Sequence, residues 1–270
     1  MDWKSTKTIF ILSFLILNIF LGYQLSVKLQ QNNIQYIADL PLEKQLEDNN
    51  INYKDELPDY KAKQTLISGQ RAPFSPADLN TSKEVKLDKD KSANDMLVYS
   101  LKKPLKVTES NVVDEVSAFL KEEVYRGNEY SFYKKDTTSK TVWFTQSYDG
   151  KPILFDSKSK DMPGGMVKFH WNDTGEVRGF EQTFLSIYRQ GTPQEIISPM
   201  KAIGRLFKTG YLSNGEKIKK VQLGYYSLAN VEDVQVYVPT WSVETENGHY
   251  LVNATDSSIQ QIDREGNEES

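Results

Sequence analysis

The chain of 270 residues has no cysteine and only two histidines. Without cysteine there can be no disulfide, thiol nucleophile, cysteine-based zinc site or lipid-modified cysteine anchor. His170 and His249 stand about 80 residues apart and make no pair with metal-ligand spacing, so they read as surface residues. G-x-S-x-G, the phosphate-binding P-loop, the dinucleotide-binding glycine fingerprint and H-E-x-x-H are all missing. Neighbouring carboxylates such as Glu122/Glu123 and Glu43/Glu47 lie in polar helical runs and fit solvated faces better than a catalytic dyad. An excess of positive charge is lacking too: 33 basic residues face 37 acidic ones, a formal net charge of −4. Nucleic acid is therefore not an expected partner, since it calls for a basic face. These absences point to a protein with no enzymatic activity, no metal and no cofactor.

What the chain does have is one long apolar run, at its start. Thr8 to Val27 lies between Lys7 and Lys28 with no charge inside. Twenty residues at about 1.5 Å each span roughly 30 Å, the hydrocarbon thickness of a bilayer. A cleaved signal peptide has an apolar stretch of only about 7–15 residues and a small-x-small site after it. Here the run ends in "LGYQLSVKLQ", without such a site. A soluble core helix would need a polar face, and Thr8–Phe20 is apolar almost all round. The expectation is a permanent transmembrane anchor over 8–27. Lys4, Lys7 and the terminal amine precede it and Lys28 alone follows closely, so residues 1–7 form a cytoplasmic tail and the rest lies outside the cell membrane.

Ile11, Leu15, Asn18, Gly22 and Leu25 follow a 4-3-4-3 spacing along this run. A buried amide and a glycine on one seam suit helix–helix association in lipid, because the amide finds a partner and the glycine lets backbones approach. Alternatively, Asn18 bonds its own backbone and Gly22 sits near the membrane surface. The seam is the candidate partner-binding site.

Beyond the anchor the composition turns polar. From Leu29 to about Lys63, Leu40, Leu42, Leu46 and Ile51 are too sparse for a strong core, which reads as a juxtamembrane connector. Leu79–Asp95 is loop-like; Asp88, Asp90 and Ser92 only loosely imitate a calcium loop, which lacks its turn glycine and has Tyr99 where the bidentate acid belongs. After Thr108, Ser110 or Asn111 can cap a helix carrying Val113, Val116, Leu120 and Val124 on one stripe and stopped by Gly127. Strand-like runs follow, with turns at Asp149-Gly150 and Asn172–Gly175, and Val167, Phe169 and Trp171 on one face. After Gly191-Thr192-Pro193 a second unit opens with Ser198-Pro199, a helix bearing Ala202, Ile203, Leu206 and Phe207, and three strands, the last two joined at Asn247-Gly248. Tyr225, Tyr237, Trp241 and Val243 read as sheet-packing residues. The expected fold is α+β: a connector and first helix-plus-antiparallel-sheet unit over 28–190, then a second over 191–268.

"MDWKSTKTIFILSFLILNIFLGYQL" at the start, "KAIGRLFKTGYLSNGEKI" followed by "VQLGYYSL", and "VPTWSVE" with "HYLVNA" resemble the YycI (WalI) family. The resemblance is weakest between Gln30 and Asp95. It implies a non-enzymatic accessory protein of low-GC Gram-positive bacteria, with tandem α+β units outside the membrane. It further implies action with the related membrane protein YycH on the sensor kinase WalK (YycG), which controls cell-wall metabolism, through contacts between transmembrane helices. No catalytic residue is carried over. The rival expectation is an extracytoplasmic peptide- or wall-binding module for which the helix is a simple tether.

Overall fold

A computed structural model describes residues 3–33, 41–53, 57–74, 83–155, 162–231 and 234–262. It divides into two units, Met1–Asp48 and Asn49–Ser270. The first holds helix α1 (Trp3–Asn33) and the short helix α2 (Leu42–Asp48). Leu40 lies outside the described residues.

The second unit is mixed α+β, with one large sheet. Its first half is built from β2 (Val85–Leu87), β3 (Met96–Lys106), β4 (Tyr130–Asp136), β5 (Thr141–Tyr148), β7 (Met166–Trp171) and β8 (Glu176–Thr183). These pair in the order β4-β5-β7-β8-β3-β2, all antiparallel. Helix α3 (Val112–Glu123) contributes Val112, Val116 and Leu120 to their core, where Phe144, Phe169 and Phe180 also lie. Phe119 sets its ring edge-on to Phe169 at 6.2 Å. The expected alternation on β7 is present: Val167, Phe169 and Trp171 are buried and His170 is exposed. Asn111 does cap α3 by position, but its side chain accepts backward from the Thr108 N–H at 2.6 Å and leaves the helix N–H groups alone. The helix ends at Glu123. Arg126 then takes a left-handed conformation (φ 50°), and Gly127 opens a single 3₁₀ turn to Glu129.

The second half comprises β1 (Lys63–Arg71), β9 (Leu185–Glu195), β10 (Ile218–Val231), β11 (Val234–Thr245), β12 (His249–Asn253) and β13 (Ile259–Ile262). β10, β11, β12 and β13 form an antiparallel meander. One edge of β11 serves two neighbours in turn, β1 at Val234–Tyr237 and β12 at Thr240–Glu244. β9 pairs antiparallel with β1. Helix α4 (Pro199–Lys208) follows Ser198, whose Oγ accepts from the Lys201 N–H, and buries Ala202, Ile203 and Leu206. Phe207 is only half-buried. Tyr225, Tyr237, Trp241 and Val243 are all fully buried, as sheet-packing residues should be.

Strand β6 (Lys151–Leu154) joins the halves: it is the hairpin partner of β5 and runs parallel to β10 at Tyr225 and Tyr226. Gly224 makes the crossing possible, because a Cβ there would meet the Pro152 carbonyl oxygen at 2.8 Å.

Two expectations need correction. The polar stretch before Lys63 is not all connector. Leu46 and Ile51 are buried, and Asn52 pairs with the start of β10 by donating to Glu216 O and accepting from Ile218 N–H. The strand β1 carries too few alternations to stand out in sequence. Gly191-Thr192-Pro193 is no break either, since β9 runs through it with a register shift that absorbs the positive φ of Gly191.

Candidate functional site

The residues of the candidate seam fall on helix α1. Ile11, Leu15, Asn18 and Gly22 are all exposed, and a Cβ added at Gly22 would meet nothing within 4 Å. The side chain of Leu25 lies outside the described residues. The seam is not set apart by hydrophobicity, because the helix is apolar all round: Phe10, Phe14, Ile19 and Tyr23 are each more than half exposed. Asn18 is the polar exception at its middle. Among the described residues no helix is long and apolar enough to cross a membrane. The side chains described without interruption run from Phe10 to Gln24, about 22 Å of helix.

Two grooves among the described residues lie beside the β5–β6 hairpin. One, of about 310 Å³, lies between the end of β5 and the start of β9. It is lined by Gln146, whose side-chain amide donates to Leu185 O (3.1 Å) and accepts from Leu185 N–H (2.9 Å), as a neighbouring strand would. A second donor contact to Glu129 holds that amide, and Glu129 pairs with Arg126. The other groove, of about 500 Å³, lies among Pro58–Lys61, the turn Asp149–Lys151 and Val221–Leu223. The turn is a tight two-residue hairpin, with Asp149 and Gly150 both at positive φ. The Lys151 ammonium bonds Asp149 (2.9 Å) and, with Lys61 and Arg189 nearby, holds its carboxyl below the usual range. Sequence reasoning missed both grooves, since Gln146 meets Leu185 only through long-range pairing.

The histidines remain apart in space as in sequence. His170 sits on exposed β7 surface, while His249 Nε2 lies 2.7 Å from Ser242 Oγ. That serine is buried on β11, and neither partner is among the residues lining these two grooves. Among the described residues no group of three or more acidic or histidine side chains could hold a metal ion.

The polar groups most altered by folding are tyrosines, and their role is structural. Burial raises Tyr130 and Tyr237 well above the ordinary phenol range and pushes Tyr225 up to about 12. Tyr130 donates to Thr183 O at 2.6 Å and accepts from Gln182 Nε2, and Tyr237 donates to Gln235. The phenols are kept neutral in the fold but ionise near pH 10 when unfolded. Their contribution is therefore complete below pH 10 and lost as pH rises toward 12 and beyond, at up to about 1.4 kcal/mol per pH unit for each tyrosine. Thermal unfolding followed by circular dichroism should show the melting temperature falling steeply above pH 10. Tyr130→Phe should be less stable at neutral pH and lose stability less steeply above it.

Fold and surface together define a mixed α+β protein with a large, mostly antiparallel sheet and an N-terminal helix whose described apolar side chains are exposed. Within that class the chain belongs to the YycI family, which matches residues 29–255 as "YycI protein". No curated protein matches the sequence. Among the solved structures similar at low identity are the following three. An uncharacterized protein from Eubacterium rectale ATCC 33656 is 12% identical, with a TM-score of 0.44 over 79% of this chain and 91% of its own. The C-terminal domain of YpeB from Bacillus megaterium is 14% identical, with a TM-score of 0.39 over 72% of this chain and 100% of its own. YycH from Bacillus subtilis is 13% identical, with a TM-score of 0.36 over 74% of this chain and 53% of its own.

Proposed function

We propose that this protein is a membrane-anchored, non-enzymatic regulator that acts with a YycH-like partner on a WalK-like cell-wall sensor kinase. Membership of the YycI family, a family of regulatory accessory proteins, carries the reading. The uncovered apolar surface of α1 supports the anchor. So many large apolar side chains around every face of one helix suit lipid and are costly in water. The anchor is the span 8–27, single-pass, with its N-terminus in the cytoplasm and Asn49–Ser270 outside.

Docking of the seam against kinase helices changes the balance between two signalling states, which requires unequal affinity for them. A coupling of about 1–3 kcal/mol gives a several-fold or larger change in output. Asn18→Leu and Gly22→Leu keep the helix apolar while removing the amide and the close approach. Each should lower co-purification of the kinase from native membranes by about 3- to 20-fold, matching an interhelical contact of roughly 0.6–1.7 kcal/mol. Unchanged co-purification and unchanged kinase output would remove the seam from the mechanism.

A second reading, an extracytoplasmic peptide- or wall-binding module on a passive tether, draws on the two grooves in the body. Exchanging residues 8–27 for an unrelated single-pass helix separates the two. Loss of regulation supports contacts through the anchor, and full retention supports the tether.

A further inference from the structure

Among the described residues strand β9 pairs on one side only, with β1, and backbone direction tells which of its groups face outward. Phe184 O accepts from Ala72 N–H on the β1 side at 2.9 Å. The next residue, Leu185, turns both its N–H and its C=O away from β1 to the side-chain amide of Gln146. Alternation along the strand then gives Ser186, Tyr188 and Gln190 to the β1 ladder, where they stand opposite Gln70, Ser68 and Leu66. Ile187 and Arg189 present their N–H and C=O groups to the open edge. Among the described residues nothing pairs with those four groups. Beyond them the edge closes: the register shifts after Gln190, and Pro193 has no N–H to offer. The open edge is therefore short, and it begins in the 310 Å³ groove where Gln146 already occupies the place of the first residue of an added strand.

The side chains on this edge are sorted by face. Ile187 packs with Tyr225 and Tyr237, and the charge of Arg189 bears on Asp149 and Tyr225 on the same face. Lys61 acts on Asp149 as well, while Lys151 is already bonded to it. Among the described residues Arg189 and Lys61 form no ion pair, so three cations, Lys61, Lys151 and Arg189, bear on the single carboxylate of Asp149. Tyr188 projects from the opposite face and is 59% exposed.

We infer that the open edge of β9 is a docking site for an extended, acidic segment of a partner protein, which adds a strand beside Ile187 and Arg189. Residues directly opposite each other in a sheet share a face. The segment thus places a carboxylate opposite Arg189 and an apolar side chain opposite Tyr188, with backbone bonds supplying affinity and the alternation supplying choice. This site needs neither the anchor nor the kinase, so its failure and the failure of the proposed regulation are separate results.

The test uses the full chain in nanodiscs and fluorescein-labelled heptapeptides read by anisotropy. A peptide alternating valine and glutamate should bind, and its valine–lysine counterpart should bind at least about tenfold more weakly. Methylating alternate backbone nitrogens of the acidic peptide, in each of the two phases, should abolish binding in one phase and spare it in the other. Arg189→Glu should weaken the acidic peptide about tenfold or more while leaving the circular dichroism spectrum unchanged, and Arg189→Lys should restore most of the binding. Absence of binding up to about 1 mM, equal binding of the lysine peptide, or indifference to both methylation phases would overturn the inference. So would self-association of the chain that Arg189→Glu abolishes with no peptide bound, because the edge would then belong to a second copy.

Discussion

Gly127→Ala is expected to unfold Asn49–Ser270 under conditions where the wild-type protein is folded, or to lower its melting temperature by about 10 °C or more. A Cβ at this position would lie 1.8 Å from the Leu120 carbonyl oxygen and 2.7 Å from its carbon. Both are backbone atoms of α3, so no side-chain rotation can relieve the contact. The turn must open, and with it the exit of α3 that places Tyr130 at the head of β4. Such clashes belong to the small class of single substitutions that cost about 4 kcal/mol or more. For a unit of this size each 1 kcal/mol lowers the melting temperature by about 2–4 °C. Gly150→Ala is the control. Its positive φ makes alanine unfavourable, yet nothing lies within 4 Å of the new Cβ, so the cost should stay near 1 kcal/mol. Comparing the two by urea unfolding separates backbone collision from backbone preference. Equal, small effects would mean that the α3 exit is not as tight as described.

The contrast between these glycines also explains what could be read from the chain alone. Gly150, Gly175 and Gly248 sit in hairpin turns whose chemistry is local: Asp-Gly and Asn-Gly pairs, and the side chain of Asn172 accepting from the N–H groups of Thr174 and Glu176. The stripes of α3 and α4 are local too. All of these were legible, as was the α+β class. Gly224 and Gly179 carry no such signal, because what they accommodate comes from distant strands: Pro152 O in one case, Tyr99 O in the other. The pairing of β1 with β11 brings Ile67 opposite Tyr237, and no local pattern announces it. The groove at Gln146 depends on a meeting with Leu185, 39 residues later. Ile51 looked like an isolated apolar residue because its neighbours in sequence are polar; it is buried because Asn52 next to it pairs with β10. Local periodicity thus shows the elements, whereas the grooves arise where distant elements meet.

Trp241→Ala should cost about 3–5 kcal/mol, the usual range for removing a buried aromatic. Trp241 is fully buried in β11, the strand that β1, β10 and β12 all share. It also does more than fill volume. Its indole N–H donates to Ile197 O at 3.0 Å, fixing the residue just before the cap of α4, and Tyr60 meets its ring edge-on at 5.7 Å. Trp241→Phe keeps most of the apolar area but leaves the Ile197 carbonyl without its donor, so it should cost about 1–3 kcal/mol. Measured by urea unfolding, the two variants divide the effect into packing and tethering. If Phe is as harmful as Ala, the bond to Ile197 dominates and α4 is held to the sheet mainly by that single donor. If Phe is silent, the helix is held by the burial of Ala202, Ile203 and Leu206 alone. An intermediate cost for Phe is expected, because the amphipathic face of α4 and the hydrogen bond act on the same end of the sheet.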